Sequence, residues 1–221
     1  ILGNCALATR GMEPGSPGLQ EIPEVEKAAV RGADLARFLL DAAGGAESAR
    51  RPVDLNVLLE DAVGLLMPSF MARIGIQYDL SPDLPLISAD AVQVQRALST
   101  LVVNAVEALG AGGGHLVLAT GVGGAGGANV ESGLSSHDLK EGMYVYVDVM
   151  DDGPGIAPEV LPRVFDPFFT TKFSGRGLGL SAAQGIVRAH GGAIAVTSEV
   201  GKGAKFRVLL PVPVEDSPRR E

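Results

Sequence analysis

The 221-residue sequence predicts an α+β fold, a two-layer α/β sandwich preceded by an α-helical hairpin. Three observations carry this. Apolar residues recur at helical spacing up to Ala43; Gly44-Gly45 then breaks the pattern; and beyond Arg50 strand-like alternation and helical stripes mix without βαβ regularity. With 46% hydrophobic residues the chain can bury one full domain plus a smaller element. A formal net charge of −8, with no cluster of Lys and Arg to offset it, excludes nucleic acid as an expected partner.

A single cysteine, Cys5, excludes an intrachain disulfide framework and a Cys-based zinc site. His115, His137 and His190 are too far apart in sequence for a local metal motif. This usage fits a cytosolic redox setting. No apolar stretch nears the roughly 18 residues a spanning helix needs, and no basic region leads into an apolar signal core, so direct membrane contact is not expected. The sequence starts at Ile1 in what already reads as helix, so it is expected to begin inside a longer protein.

Taken in order, Leu2, Ala6 and Leu7 form one face of a helix that ends before the breaker-rich run from Glu13 to Gly18. Ile22, Val25, Ala29, Gly32, Ala36, Leu39 and Ala43 then alternate steps of three and four, the seam of a bundle. Residues 1–45 are therefore read as a hairpin, packed either against a second copy as a dimeric four-helix bundle or onto its own domain. Residues 50–214 are read as the second domain. It should open with a short strand before Asn56 and a helix from Leu55 to Met71. Strands are expected at Gly75 to Leu80 and Leu84 to Ser88, and Asp90 should open a helix that runs to Leu109. Further strands are expected near Leu116 to Val122, Met143 to Met150, Ala193 to Ser198 and Lys205 to Pro211, with a mobile Gly-rich insertion from Gly123 to Gly142. Residues 215–221 read as a disordered tail.

Four segments carry the chemistry. On the Asp90–Leu109 helix, Gln93, Arg96, Thr100, Asn104 and Glu107 recur on a polar face that meets either water or a ligand. An amide oxygen such as that of Asn104 can ligate Mg²⁺ without adding charge. Asp151-Asp152-Gly153-Pro154-Gly155-Ile156 follows a strand, where Asp151 is either a turn residue or an acceptor for an exocyclic amino group, with Gly155 admitting a flat ring. Phe165, Phe168 and Phe169, three of seven Phe residues, sit in a loop that runs on through Thr171 and Lys172. Gly175-Arg176-Gly177-Leu178-Gly179-Leu180 opens a helix ending near His190, and is either a phosphate cradle or a simple hinge.

In this order the four segments resemble the N box, first glycine box, F box and second glycine box of sensor histidine kinases of two-component signalling. That ATP-binding fold, of Bergerat or GHKL type, is shared with gyrase and Hsp90-type chaperones. The resemblance spans essentially the whole chain and implies an ATP-dependent protein-histidine kinase acting with Mg²⁺. It implies Asn104 as the Mg²⁺ ligand, Asp151 as the adenine-recognising carboxylate, Gly153 and Gly155 as the adenine-side turn, and Gly177 and Gly179 as the hinge of a lid. Ile156, Phe168, Thr171, Gly175, Leu178 and Leu180 complete the implied nucleotide contacts, with Lys172 and Arg176 as phosphate contacts taking a catalytic part. It further implies a homodimer formed through the hairpin and a response-regulator receiver domain as partner. The location implied is cytoplasmic, free or tethered to the inner membrane by upstream segments.

Two features depart from the family pattern. The acceptor His followed by an acidic residue is missing, since no His precedes His115. Thr100 stands where many members have Asn and ATP-hydrolysing relatives have a water-activating Glu, which argues against a stand-alone ATPase. A non-enzymatic nucleotide-sensing dimer is the alternative reading.

Overall fold

The computed structural model describes residues 1–12, 16, 18–19, 21–26, 28–30, 32–33, 50–64, 73–124, 139–172 and 177–213. Helix α1 spans Leu2–Gly11, with Cys5 its one buried side chain, and residues 22–26, 28–30 and 32–33 are also helical. The rest of the expected hairpin seam, from Ala36 to Gly45, lies outside the described residues, as do residues 65–72, most of the Gly123–Gly142 insertion, His137 and the tail.

A five-stranded sheet forms the scaffold. Its strands are β2 (Ile74–Asp79), β4 (Gly114–Gly124), β5 (Met143–Asp151), β6 (Ala193–Glu199) and β7 (Gly203–Pro211), in the order β2-β4-β5-β7-β6. β2 runs parallel to β4 and every other pair is antiparallel. A short antiparallel pair, β1 (Arg51–Val53) with β3 (Ile87–Ala89), brackets helix α2 (Leu55–Gly64). Val145, Val147 and Val149 on β5 and Phe206, Val208 and Leu210 on β7 alternate onto one face and are fully or almost fully buried. Helices α2, α3 (Ala91–Leu109) and α4 (Gly179–Ala189) supply the second layer, with α3 packed on both other helices and over β5. On the opposite face of the sheet, Arg207 pairs with Asp148 through two 2.6 Å bonds directly across the β5–β7 register, and its guanidinium lies 4.4 Å from the Tyr146 ring centre.

Helix α3 starts and stops for local reasons. The Asp90 carboxylate accepts from the Val92 and Gln93 amides at 3.0 and 3.2 Å, so two of the unpaired N-terminal donors are satisfied. At the other end Gly110, at φ 59°, donates to the Val106 carbonyl. The same N-terminus is tied to α4 through His190, 4% exposed. The Asp90 amide donates to His190 Nε2 at 3.1 Å while Nδ1 donates to the Ile186 carbonyl at 2.8 Å, which places the imidazole proton on Nδ1. His190 is thus a structural bridge at the C-terminus of its helix.

Candidate functional site

A cavity of about 440 Å³ lies between the polar face of α3 and the loop that joins β5 to α4. That size suits a small-molecule ligand. Thr100, Val103, Asn104 and Glu107 form the α3 wall; Ile156, Val160, Val164, Phe169, Thr170, Thr171 and Lys172 form the loop wall; and Gly177, Gly179 and Leu180 close it at the start of α4. The helix wall is presented because Val94, Leu98, Leu101, Ala105 and Leu109 bury the other side of α3.

The loop wall is held by scattered contacts. Phe165 meets the core Phe206 edge-on, with ring centres 6.4 Å apart. Phe169 lines the cavity with the Arg163 guanidinium 4.3 Å from its ring centre. Phe168 does neither: at φ 67° its backbone is left-handed and its side chain is 58% exposed. Its amide donates to the Gly177 carbonyl at 2.8 Å, tying the middle of the loop to the end that leads into α4. Gly177, at φ 66°, sits so close to the Phe168 and Phe169 backbone that a Cβ would collide with it.

At the polar end Lys172 Nζ donates to three oxygens of α3: Asn104 Oδ1 at 2.9 Å, the Asn104 carbonyl at 3.3 Å and Glu107 Oε2 at 2.8 Å. An ammonium already sits on an amide oxygen, a carbonyl and a carboxylate, a hard-oxygen set of the kind Mg²⁺ takes. Among the described residues no three His, Cys, Asp or Glu side chains converge on one point, so protein side chains alone would not complete the shell of a divalent cation at Asn104, and phosphates and water would supply most of its ligands. Thr100 Oγ1 donates to the Arg96 carbonyl at 2.9 Å, and no carboxylate occupies its position. Leu178, the residue preceding α4, makes no side-chain cap, which leaves the first amides of that helix available to an anion where the helix dipole favours one.

Asp151 stands at the end of β5, 7% exposed, and is not itself in the cavity lining. Its Oδ1 accepts from the Gly153 amide at 3.0 Å. Burial pushes its carboxyl above the usual range, partly countered by bonds from the Gly153 and Ala204 amides. The neighbouring Asp152 moves the other way: bonds from the His115 amide and imidazole, at 2.7 and 2.9 Å, hold its exposed carboxyl low. The turn beyond Asp151 is clamped from β6. The Ile156 amide donates to Ser198 Oγ at 2.8 Å, Ser198 donates on to the Gly203 carbonyl, and the Gly201 amide reaches the Pro154 carbonyl at 2.8 Å. Gly155, at φ 73°, faces the Glu199 carbonyl where any Cβ would clash.

Of the residues singled out from sequence, Asn104, Ile156, Thr171, Lys172, Gly177, Gly179 and Leu180 therefore share one cavity. Asp151, Gly153 and Gly155 belong to the clamped turn that leads into it, Leu178 is buried beside it, and Phe168 faces solvent while Phe169 takes the inward place. Gly175 and Arg176 lie outside the described residues. Sequence reasoning did not assign Phe169, Val160 or Val164 to the site, nor Ser198 to its support. Glu107 was on the polar face of α3, but its partner Lys172 is 65 residues away.

The family model for "Histidine kinase-, DNA gyrase B-, and HSP90-like ATPase" matches residues 89–214, which contain α3, the loop, α4 and all but one strand of the large sheet. The chain belongs to this family. Within it, the domain is a GHKL-type catalytic domain of the sensor histidine kinase kind. Sensor kinase CckA of Brucella abortus is 37% identical over 204 residues, covering 90% of this chain and 21% of its own length. Sensor protein FixL of Bradyrhizobium diazoefficiens is 31% identical over 216 residues, 97% of this chain and 40% of its own. The chain thus spans well under half the length of these relatives. Among solved structures, full-length ShkA in complex with AMPPNP aligns with TM-score 0.65 at 27% identity, over 100% of this chain and 44% of that one. The catalytic domain of histidine kinase ThkA aligns with TM-score 0.58 at 27% identity, over 74% and 95%. No helix among the described residues of the domain is long and apolar enough to cross a membrane.

Proposed function

We propose that this GHKL domain binds Mg-ATP in the cavity between α3 and the loop, as the catalytic part of a protein-histidine kinase. The observation that carries the reading is the convergence of Asn104, Lys172 and the uncapped start of α4 on one cavity. Asp151 would take the adenine amino group, and the clamped turn from Gly153 to Ile156 would admit the ring. Asn104 would hold the cation, which when bound offsets phosphate charge. The amides at Gly179 and Leu180, together with Lys172, would receive the phosphates and hold them in line with an incoming nucleophile. Phe169 would shield the site from water. Because Thr100 offers a hydroxyl already bonded to Arg96 rather than a carboxylate, transfer to a protein nucleophile is favoured over hydrolysis.

That nucleophile is a histidine on the upstream hairpin of a dimer, from which the phosphoryl group passes to a response-regulator aspartate. The histidines described in this chain are unsuited to the role: both ring nitrogens of buried His190 are engaged, and His115 is paired with Asp152 away from the cavity. Calorimetry with ATP, with and without Mg²⁺, tests the binding step. Wild type should show Mg²⁺-dependent binding that Asn104→Ala loses while keeping its fold; unchanged magnesium dependence in the variant would reject the assignment. Incubation with γ-labelled ATP should leave this chain unlabelled on histidine, and a fragment extended upstream should label. Binding with no labelling of the extended protein would favour the nucleotide-sensing alternative.

A further inference from the structure

The three oxygens that Lys172 grips come from one turn of α3. Asn104 and Glu107 are three residues apart, which places both side chains on the face that lines the cavity. Lys172 Nζ carries three protons, and the three oxygens within reach can take all of them, so an ammonium seated there has no donor left for a phosphate. It cannot serve α3 and a nucleotide at once.

We propose that Asn104 and Glu107 form a cation-exchange site, with Glu107 a second protein ligand for the divalent cation beside Asn104. Lys172 occupies the site when no nucleotide is present, and thereby pins the loop to α3. It yields those oxygens to the cation that accompanies the nucleotide, and its freed ammonium turns to the phosphates. Charge decides the order of events. Once Lys172 leaves, the Glu107 carboxylate faces the cavity unneutralised, and a metal-free nucleotide, itself an anion, would be repelled. A divalent cation between them removes that repulsion. Glu107 therefore makes loop release conditional on the metal. The inference rests on the Mg-ATP reading above, but its central competition concerns only the cation and the lysine.

The test uses Mn²⁺ alone as probe, with no nucleotide, on the whole chain. Paramagnetic broadening of the amides at 104–107 in NMR spectra reports occupancy. Lys172→Met should bring broadening at a two- to fivefold lower Mn²⁺ concentration, the range expected for removing a partly exposed ion pair as competitor. Glu107→Gln should abolish local broadening, and in both variants hydrogen exchange at residues 168–172 should quicken by about the same factor as the loop loses its anchor. Lys172→Gln repeats the comparison with a side chain that retains polarity. Equal Mn²⁺ dependence in wild type and both Lys172 variants, or broadening that survives Glu107→Gln, overturns the proposal. Failure of the chain to bind a non-hydrolysable ATP analogue in calorimetry would instead overturn the nucleotide reading, leaving the Mn²⁺ competition measurable by itself.

Discussion

Helix α3 and the loop from Ile156 to Leu178 face each other across the same cavity, yet they are anchored very differently. Eight side chains of α3 are buried, its N-terminus is capped by Asp90, and His190 ties that cap to α4. Among the loop's described residues only Val164 and Leu178 are buried, and its regular structure is the single 3₁₀ turn Leu161–Arg163. What holds the loop near its functional end is polar: Lys172 on α3, and the Phe168 amide on Gly177. One wall is part of the core and fixes where ligand oxygens must sit, while the other can change partners at small cost.

If the contrast is right, truncation on the two walls should act on different measurements. Leu101→Ala, at a position with no exposed surface, should cost about 2–5 kcal/mol in urea unfolding, whereas Phe169→Ala should cost the fold under about 1 kcal/mol and show itself in nucleotide affinity. Similar losses from both would make the loop as much a part of the core as α3.

The carboxylate at the end of β5 gives the next largest effect. Asp151→Asn should weaken ATP by about ten- to a hundredfold in calorimetry, since a charge-assisted bond to the base, about 1.5–3 kcal/mol, is lost. In the nucleotide-free protein the same change should raise the melting temperature. Burial raises the Asp151 carboxyl above its unfolded value of 3.8, so its ionised form opposes folding above that raised value. The gain should therefore shrink as pH falls through it. A variant that melts lower at neutral pH would contradict this.

Smaller effects separate the walls more finely. Asp90→Ala removes the α3 cap and should lower stability by about 1 kcal/mol with little change in hydrogen exchange at residues 168–172. Phe168→Gly relieves the left-handed backbone of an exposed residue and, against the added freedom of the unfolded chain, should stabilise by about 0.5 kcal/mol. A clear loss of stability there would mean that the Phe168 ring is held by something its exposure hides.

Much of this was readable one segment at a time. The stripe of Val94, Leu98, Leu101, Ala105 and Leu109 announced which side of α3 is buried, and Asp90 announced where the helix begins, because both depend on residues within a turn or two of each other. Strand positions from Ile74 to Pro211 followed from alternation and Gly-rich breaks, with ends shifted by up to three residues, most at Ile87–Ala89, where the strand was expected to start at Leu84. The parallel pairing of β2 with β4 was not readable, since alternation says which side chains share a face and nothing of which strand lies alongside. Nor was the choice between Phe168 and Phe169: composition marks both as anchors, and only a left-handed backbone at Phe168 turns one outward and the other in.

By itself, then, the sequence determined the elements, the buried faces and the ordered boxes that place the chain in its family, all of which rest on spacing and local hydrogen bonding. Tertiary structure decided what stands opposite what. That Lys172 sits on Asn104 and Glu107, and that Ser198 clamps the amide of Ile156, are contacts between residues 65, 68 and 42 positions apart. Such pairings arise when packed layers bring distant polar groups together, where each must find a partner or remain in water.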